Sequence, residues 1–328
     1  MTSAPVRLLT ADELGIGVAA ATAEHASNRP DEPTMESSDP VVVQARWLLE
    51  RFGGIIYTGP PGTGKTWTVN KIANALTSGD KSRVRYVQFH PSYQYEDFMQ
   101  GFRPVEDGSF VLRNGHFMEM CEKARAAENE GRDCVLVIDE LSRGDAGRVF
   151  GEALTYLEKS KRGLPFKLAS GAEATVPANL VILATMNPLD RGVDEIDSAF
   201  GRRFAQVSME PSRSALLSFM EINQLAEPLA QGLLRFFDFV NKRAQTNPHA
   251  AVGHVFFSDV SDEESLRAVW DYQLRFQLER AFRLDSQGYE EVQSRWQAIF
   301  PPTQIDAPEE AGVGSSVLGE EEPQPEPQ

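Results

Sequence analysis

Two short stretches hold residues whose types and spacing could handle phosphate. In GPPGTGKT, residues 59–66, glycines at 59, 62 and 64 lead into Lys65 and Thr66. Glycines at that spacing let a loop close so tightly that main-chain N–H groups converge where any Cβ would obstruct the approach. The run Gly59, Pro60, Pro61, Gly62, Thr63, Gly64, Lys65 and Thr66 is therefore read as a cradle for the phosphates of a nucleotide. Lys65 is placed to reach the β and γ phosphates and the Thr66 hydroxyl to ligate Mg2+. The second stretch is CVLVIDE, residues 134–140, where an apolar run ends in Asp139 and Glu140. Asp139 suits a magnesium site through its water shell, and Glu140 suits a general base that orients and deprotonates an attacking water. Two carboxylates at a buried strand tip would be costly to desolvate without a cation, which argues against a purely structural pair.

Both stretches need elements that present them to one point. Residues 54–58 read as an apolar strand entering the glycine loop, and residues 66–77 as the helix leaving it, whose positive N-terminal end favours anions. Further strands are expected over 83–90, 134–139, 180–187 and 204–209, with helices over 40–51, 66–77, 117–127 and 147–159 and a hairpin within 163–177. Alternation of this kind predicts an α/β fold, a three-layer sandwich around a five-stranded parallel sheet with ligands at the carboxyl ends of its strands. After residue 211 the pattern turns helical: Ser261 and Glu264 have capping-box spacing, and Leu266, Val269, Trp270, Leu274, Leu278 and Phe282 recur at helical intervals. The expected organisation is an acidic disordered segment over 1–39, the α/β nucleotide-binding subdomain over 40–211, a small all-helical lid over 212–304 and an acidic disordered tail over 305–328.

Composition narrows the class. The net charge of −16 is concentrated at the ends, since residues 306–328 hold seven acids with no Lys or Arg, and residues 1–39 hold seven acids against two arginines. The body lacks the concentrated basic footprint of an autonomous DNA-binding domain. DNA is therefore expected only indirectly, through local loops or a partner. No apolar run approaches the ~18 residues of a membrane span, so no membrane partner is expected. Two cysteines, Cys121 and Cys134, are too few for a disulfide framework and do not cluster with the five histidines at metal-ligand spacing. A reducing, cytoplasmic location is the expectation.

With the strand, glycine loop, acidic strand tip and helical lid assembled, the chain resembles an AAA+ ATPase, and three linked segments narrow the resemblance. HPSYQYEDFMQGFRP, residues 90–104, is similar to the HPSYSYEDFVEGFRP-type segment of McrB-family NTPases, the motor subunits of modification-dependent restriction systems. IDELSRGDAGRVFGEALTYLE, residues 138–158, resembles that family's IDEINRG segment and the helix after it, and MNPLDRGVDEIDSAFGRRF, residues 186–204, its MNTADRS…LDYALRRRF pattern. The resemblance covers about residues 40–300 and implies an AAA+ module without the N-terminal domain that reads modified DNA.

What the resemblance implies can be set against the residues. Asn187 matches the sensor 1 position, where a neutral amide can hydrogen-bond the γ phosphate or the attacking water. Asp190 and Arg191 match the signature loop, and two readings suit them: positioning water or touching a neighbouring subunit, or pairing with each other. Arg202 and Arg203 match the basic cluster that supplies an arginine finger to the next protomer. Gly201 stands where that cluster has its first arginine, and Pro188-Leu189 replaces Thr-Ala, so which arginine reaches across is left open. VGHVFFSD, residues 252–259, resembles the family's GHSYF stretch; His254 could approach a nucleotide or simply pack, and no arginine occupies an obvious sensor 2 position.

The expected activity is Mg2+-dependent hydrolysis of ATP or GTP in a homo-oligomeric ring, a hexamer, that drives a separate nuclease in restriction of foreign DNA. Neither nucleotide base is singled out, with ATP favoured by the wider AAA+ class. A remodelling chaperone resembling MoxR or CbbQ proteins has nearly the same hydrolytic site and is distinguished by its partner, and a slow nucleotide-gated scaffold is a third reading.

Overall fold

Strand and helix order follow from alternating hydrophobicity. The computed structural model describes residues 38–189 and 198–300. These fall into two compact units, one holding the residues up to Gly59 and Gly64–Met209, the other Pro60–Thr63 with the residues from Glu210 onward. Strands of the first unit are β1 (Gly54–Thr58), β2 (Val84–Gln88), β3 (Gln100–Pro104), β4 (Phe110–Asn114), β5 (Cys134–Asp139), β6 (Pro165–Lys167), β7 (Glu173–Thr175), β8 (Leu180–Met186) and β9 (Phe204–Ser208). Its helices are α1 (Pro40–Leu49), α2 (Lys65–Leu76), α3 (Tyr95–Phe98), α4 (His116–Arg125), α5 (Ala146–Phe150), α6 (Ala153–Tyr156) and α7 (Ser198–Gly201).

Five strands form one all-parallel sheet in the order β2-β5-β8-β1-β9. β5 and β8 are buried on both faces, as near-continuous apolar runs must be in a covered parallel sheet. Successive side chains alternate between two cores. Ile55, Tyr57, Val135, Val137 and Leu183 pack with Val69, Ile72 and Leu76 of α2. Ile56, Leu136, Ile138, Ile182 and Ala184 pack on the other face with Phe98, Phe117, Phe150 and Phe200. The result is the α/β three-layer sandwich of a P-loop AAA+ fold, with β1, β5 and β8 ending side by side.

Local departures from the sequence expectation have identifiable causes. The helix expected over 147–159 is broken into α5 and α6 because Gly151 takes φ 47°, and a Cβ there would lie 2.8 Å from the Tyr95 ring. The antiparallel pair β3 and β4, in register Phe102 to Leu112, was not expected. Phe102, Phe110 and Val111 are all exposed, so the hairpin shows no alternation of the half-buried kind. The expected hairpin within 163–177 forms as β6 and β7.

Arg162 ties the far end of the sheet together. Its guanidinium donates to the carbonyls of Leu157 (3.1 Å), Pro177 (3.1 Å), Leu180 (3.1 Å) and Gly53 (2.7 Å), joining the approaches to β1 and β8. Burial lowers its pKa to about 10, so it stays charged at neutral pH. Arg162→Met removes these charge-assisted bonds and leaves carbonyls unsatisfied; a loss of about 3 kcal/mol is expected by equilibrium denaturation.

In the second unit, α8 (Arg213–Ile222), α9 (Glu227–Arg243), α10 (Glu263–Val269), α11 (Arg275–Ala281) and α12 (Ser286–Gln297) surround an aromatic core. Trp270 and Trp296 stack at 4.9 Å, and Phe236 meets both edge-on. The capping box opening α10 is Asp262 with Ser265, one residue on from the expected Ser261 and Glu264. The Asp262 carboxylate accepts from the Ser265 N–H at 2.8 Å, and the Ser265 hydroxyl from the Asp262 N–H at 3.1 Å. A π-helical turn, Trp270–Leu274, joins α10 to α11 and keeps Leu274 and Leu278 in the core.

Candidate functional site

The glycine loop takes a shape that only its glycines permit. Gly62 has φ 74° and Gly64 φ 81°, both left-handed, and Gly64 stands as the N-cap of α2. Thr63 is buried and its hydroxyl donates to the Pro60 carbonyl at 3.0 Å, fixing the turn through Pro61 from within. Past the loop, Lys65 folds back so that Nζ donates to the Gly59 carbonyl at 2.8 Å. α2 begins at Lys65, so its first amides and dipole face the cradle it closes.

Sheet register brings the second stretch to the first. β5 and β8 pair Ile138 with Ala184, so one step further Asp139 lies beside Thr185. Asp139 Oδ1 accepts from the Thr66 hydroxyl at 3.1 Å and, in a short contact, from the Thr185 hydroxyl. Next in the chain, Glu140 leaves the strand in a left-handed conformation, φ 56° and ψ 44°, unusual for a residue with a Cβ. Its N–H donates to Thr185 Oγ1 at 3.1 Å and its carbonyl accepts from the Arg143 N–H at 2.9 Å. Its carboxylate meets Arg143 Nε at 3.2 Å, and it remains partly open to solvent.

Asn187 follows β8 and is almost fully buried, with its side-chain oxygen accepting the Leu189 N–H at 3.2 Å across Pro188. Asp190 and Arg191 lie outside the described residues. The two candidate finger arginines are separated by the structure. Arg202 is exposed. Arg203 is 8% exposed, and its Nη2 faces Glu158 at 3.9 Å. The Arg203 carbonyl accepts the Gly53 N–H at 2.7 Å. Within the second unit His254 is buried, stacked on Phe219, with Nδ1 accepting the Ser212 N–H at 3.2 Å. That bond requires the neutral ring with its proton on Nε2, and burial lowers the histidine's pKa. The next residue, Val255, donates its N–H to the Gly62 carbonyl at 2.9 Å.

Thr185 and Arg143 were not identified from the sequence. The signal for Thr185 was its place two residues before Asn187 on one strand, which puts both on the same face; for Arg143 it was the three-residue spacing from Glu140.

The donors suit magnesium with a nucleotide. Thr66 and Asp139 offer two hard oxygen ligands in mutual contact. Among the described residues no group of three or more His, Cys, Asp or Glu could hold an ion by itself. Mg2+ takes few protein ligands and completes its shell with phosphate oxygens and water, so the set fits. Among the described residues, no helix is long and apolar enough to cross a membrane.

Residues 54–204 match the family model of the AAA domain, dynein-related subfamily. The Type IV methyl-directed restriction enzyme EcoKMcrB subunit of Escherichia coli (strain K12) is 35% identical over 218 residues, covering 62% of this chain and 47% of that protein. The Type II restriction enzyme BsuMI component YdiS of Bacillus subtilis (strain 168) is 26% identical over 205 residues, 50% of this chain and 60% of its own. This chain thus spans about half the length of the relatives it matches. A crystal structure from Cytophaga hutchinsonii ATCC 33406 aligns with 78% of this chain and 88% of its own at 15% identity, with a TM-score of 0.36 too low to bear on the fold. From the glycine loop, the acidic strand tip, the sheet order and these matches together, this chain carries an AAA+ module of McrB type, with residues 54–204 as its AAA domain.

Proposed function

We propose that this chain hydrolyses ATP or GTP with Mg2+ as the motor of a ring, a hexamer of identical chains, and that it drives a separate nuclease subunit in DNA restriction. The observation that carries the reading is the meeting of the Thr66 hydroxyl with the Asp139 carboxylate at 3.1 Å beside Glu140, at the mouth of a glycine loop closed by Lys65. Thr66 and Asp139 would hold the cation, which when bound offsets charge on the transferring phosphate. Lys65 exchanges the Gly59 carbonyl for phosphate oxygens. Glu140 takes the proton of the attacking water, and Asn187 orients that water or the γ phosphate through its amide. Asp190 is assigned to the same water-positioning role. Exposed Arg202 is the arginine offered to a neighbouring protomer, while Arg203 serves its own chain through Glu158. Both relatives are restriction enzyme components, which supports a nuclease partner.

The test is titration of the purified chain with Mg·ATP and Mg·GTP separately. Lys65→Ala is expected to weaken binding of the preferred nucleotide by about 100-fold or more, the loss of a desolvated charge contact. Equal affinity in the variant would overturn the assignment of the loop. The parent titration also settles which base is preferred.

A further inference from the structure

We propose that Thr185 is a positioning residue for hydrolysis, a single hydroxyl that sets the carboxylates of Asp139 and Glu140 in their working arrangement. This rests on the reading that the chain hydrolyses a nucleoside triphosphate. Thr185 is 2% exposed, so water cannot stand in for it. Its one proton goes to Asp139 Oδ1, and its oxygen accepts the Glu140 N–H at 3.1 Å. Those two bonds use the hydroxyl as donor and as acceptor at once, between consecutive residues of the chain. Thr66 donates to the same Asp139 oxygen, so the carboxylate is oriented from the loop side by one hydroxyl and from the sheet side by the other.

Glu140 is where this matters most. A residue with a Cβ held at φ 56° stays there only when its surroundings over-determine it. Three bonds do so: the N–H to Thr185, the carbonyl from Arg143 N–H and the carboxylate to Arg143 Nε. The Arg143 side chain is half exposed, so water can take its place at the carboxylate, whereas Thr185 is enclosed. Without the hydroxyl, the partly buried Glu140 amide loses its acceptor, and relaxation of the backbone toward the right-handed region swings the carboxylate away from its place at the strand tip. The role is positional, because Thr185 touches the Asp139 carboxylate and the Glu140 main-chain N–H and is assigned no contact with nucleotide or water.

Thr185→Val keeps the shape and removes the hydroxyl; Thr185→Ser keeps the hydroxyl. For the preferred nucleotide, T185V is expected to lower kcat by about 100-fold, the usual cost of misplacing a catalytic group by about 1 Å. The Kd for Mg-nucleotide should stay close to the parent, the thermal midpoint should fall modestly because the Glu140 amide loses its acceptor, and T185S should restore the midpoint and return kcat to within about threefold of the parent. Parent-like turnover in T185V overturns this inference alone. So does a loss of kcat that T185S fails to restore in a folded chain. Should T185V not fold, T185S decides, with near-parent kcat supporting the role and a tenfold or larger loss overturning it. A parent that binds nucleotide without turnover overturns the hydrolase reading, and this inference with it.

Discussion

Replacing Glu140 by glutamine is expected to leave nucleotide binding and ring assembly intact and to cut turnover by about 10³-fold, within the range of a lost general base. Glutamine has the same shape, and its oxygen can still accept from Arg143 Nε, which lies 3.2 Å from the carboxylate. Of the three bonds that hold the left-handed backbone at φ 56°, the substitution leaves two untouched, the N–H to Thr185 Oγ1 and the carbonyl from the Arg143 N–H. What is removed is the negative charge and, with it, the capacity to take a proton. The measurement is steady-state phosphate release beside the Kd of the variant. Phosphate release at the parent rate would take the base assignment away from Glu140, and a matching loss of affinity would make it a binding residue.

Arg202→Ala is expected to lower turnover by about 10³-fold as well, through a different physical term: positive charge supplied to the transition state from a neighbouring copy. On the proposed reading the charge comes from another copy, so mixing is expected to separate the two functions. Chains carrying Lys65→Ala cannot cradle phosphate yet still present Arg202; chains carrying Arg202→Ala cradle phosphate and lack the finger. Each is expected to be inactive alone, and a mixture should recover part of the parent turnover at the junctions where each supplies what the other lacks. No recovery on mixing, with assembly shown by light scattering, would remove Arg202 from this role. Arg203→Ala is expected to show first as a lower unfolding midpoint, since its guanidinium is buried toward Glu158 and its segment is tied to Gly53.

Much of the fold was legible because its signals are local. Near-continuous apolar runs such as Cys134–Ile138 must be buried on both faces, so a covered parallel sheet follows from hydrophobicity alone. The failures had identifiable causes, not all of them local. The hairpin of β3 and β4 carries exposed aromatics and so mimics no buried pattern. Gly151 ended a helix whose period ran straight through it, because a nearby aromatic ring, invisible in the linear order, occupies the space a Cβ would need. At the opening of α10, two acidic and hydroxyl pairs one residue apart both satisfied the capping spacing, and backbone geometry chose Asp262 and Ser265.

By itself the sequence determined the chemistry on offer: glycines that permit left-handed turns, a lysine and a threonine at the head of a helix, and two carboxylates at the end of an apolar strand. Those depend on residue type and spacing within a few positions, which the covalent chain carries directly. Tertiary structure decided which distant groups meet them. Thr66 reaches Asp139 across 73 positions, Thr185 reaches Asp139 across 46, and Arg203 turns inward while its neighbour Arg202 faces solvent. Strand order and register set those meetings, and they are properties of the packed core as a whole, where a shift of one residue would exchange every inward side chain for an outward one.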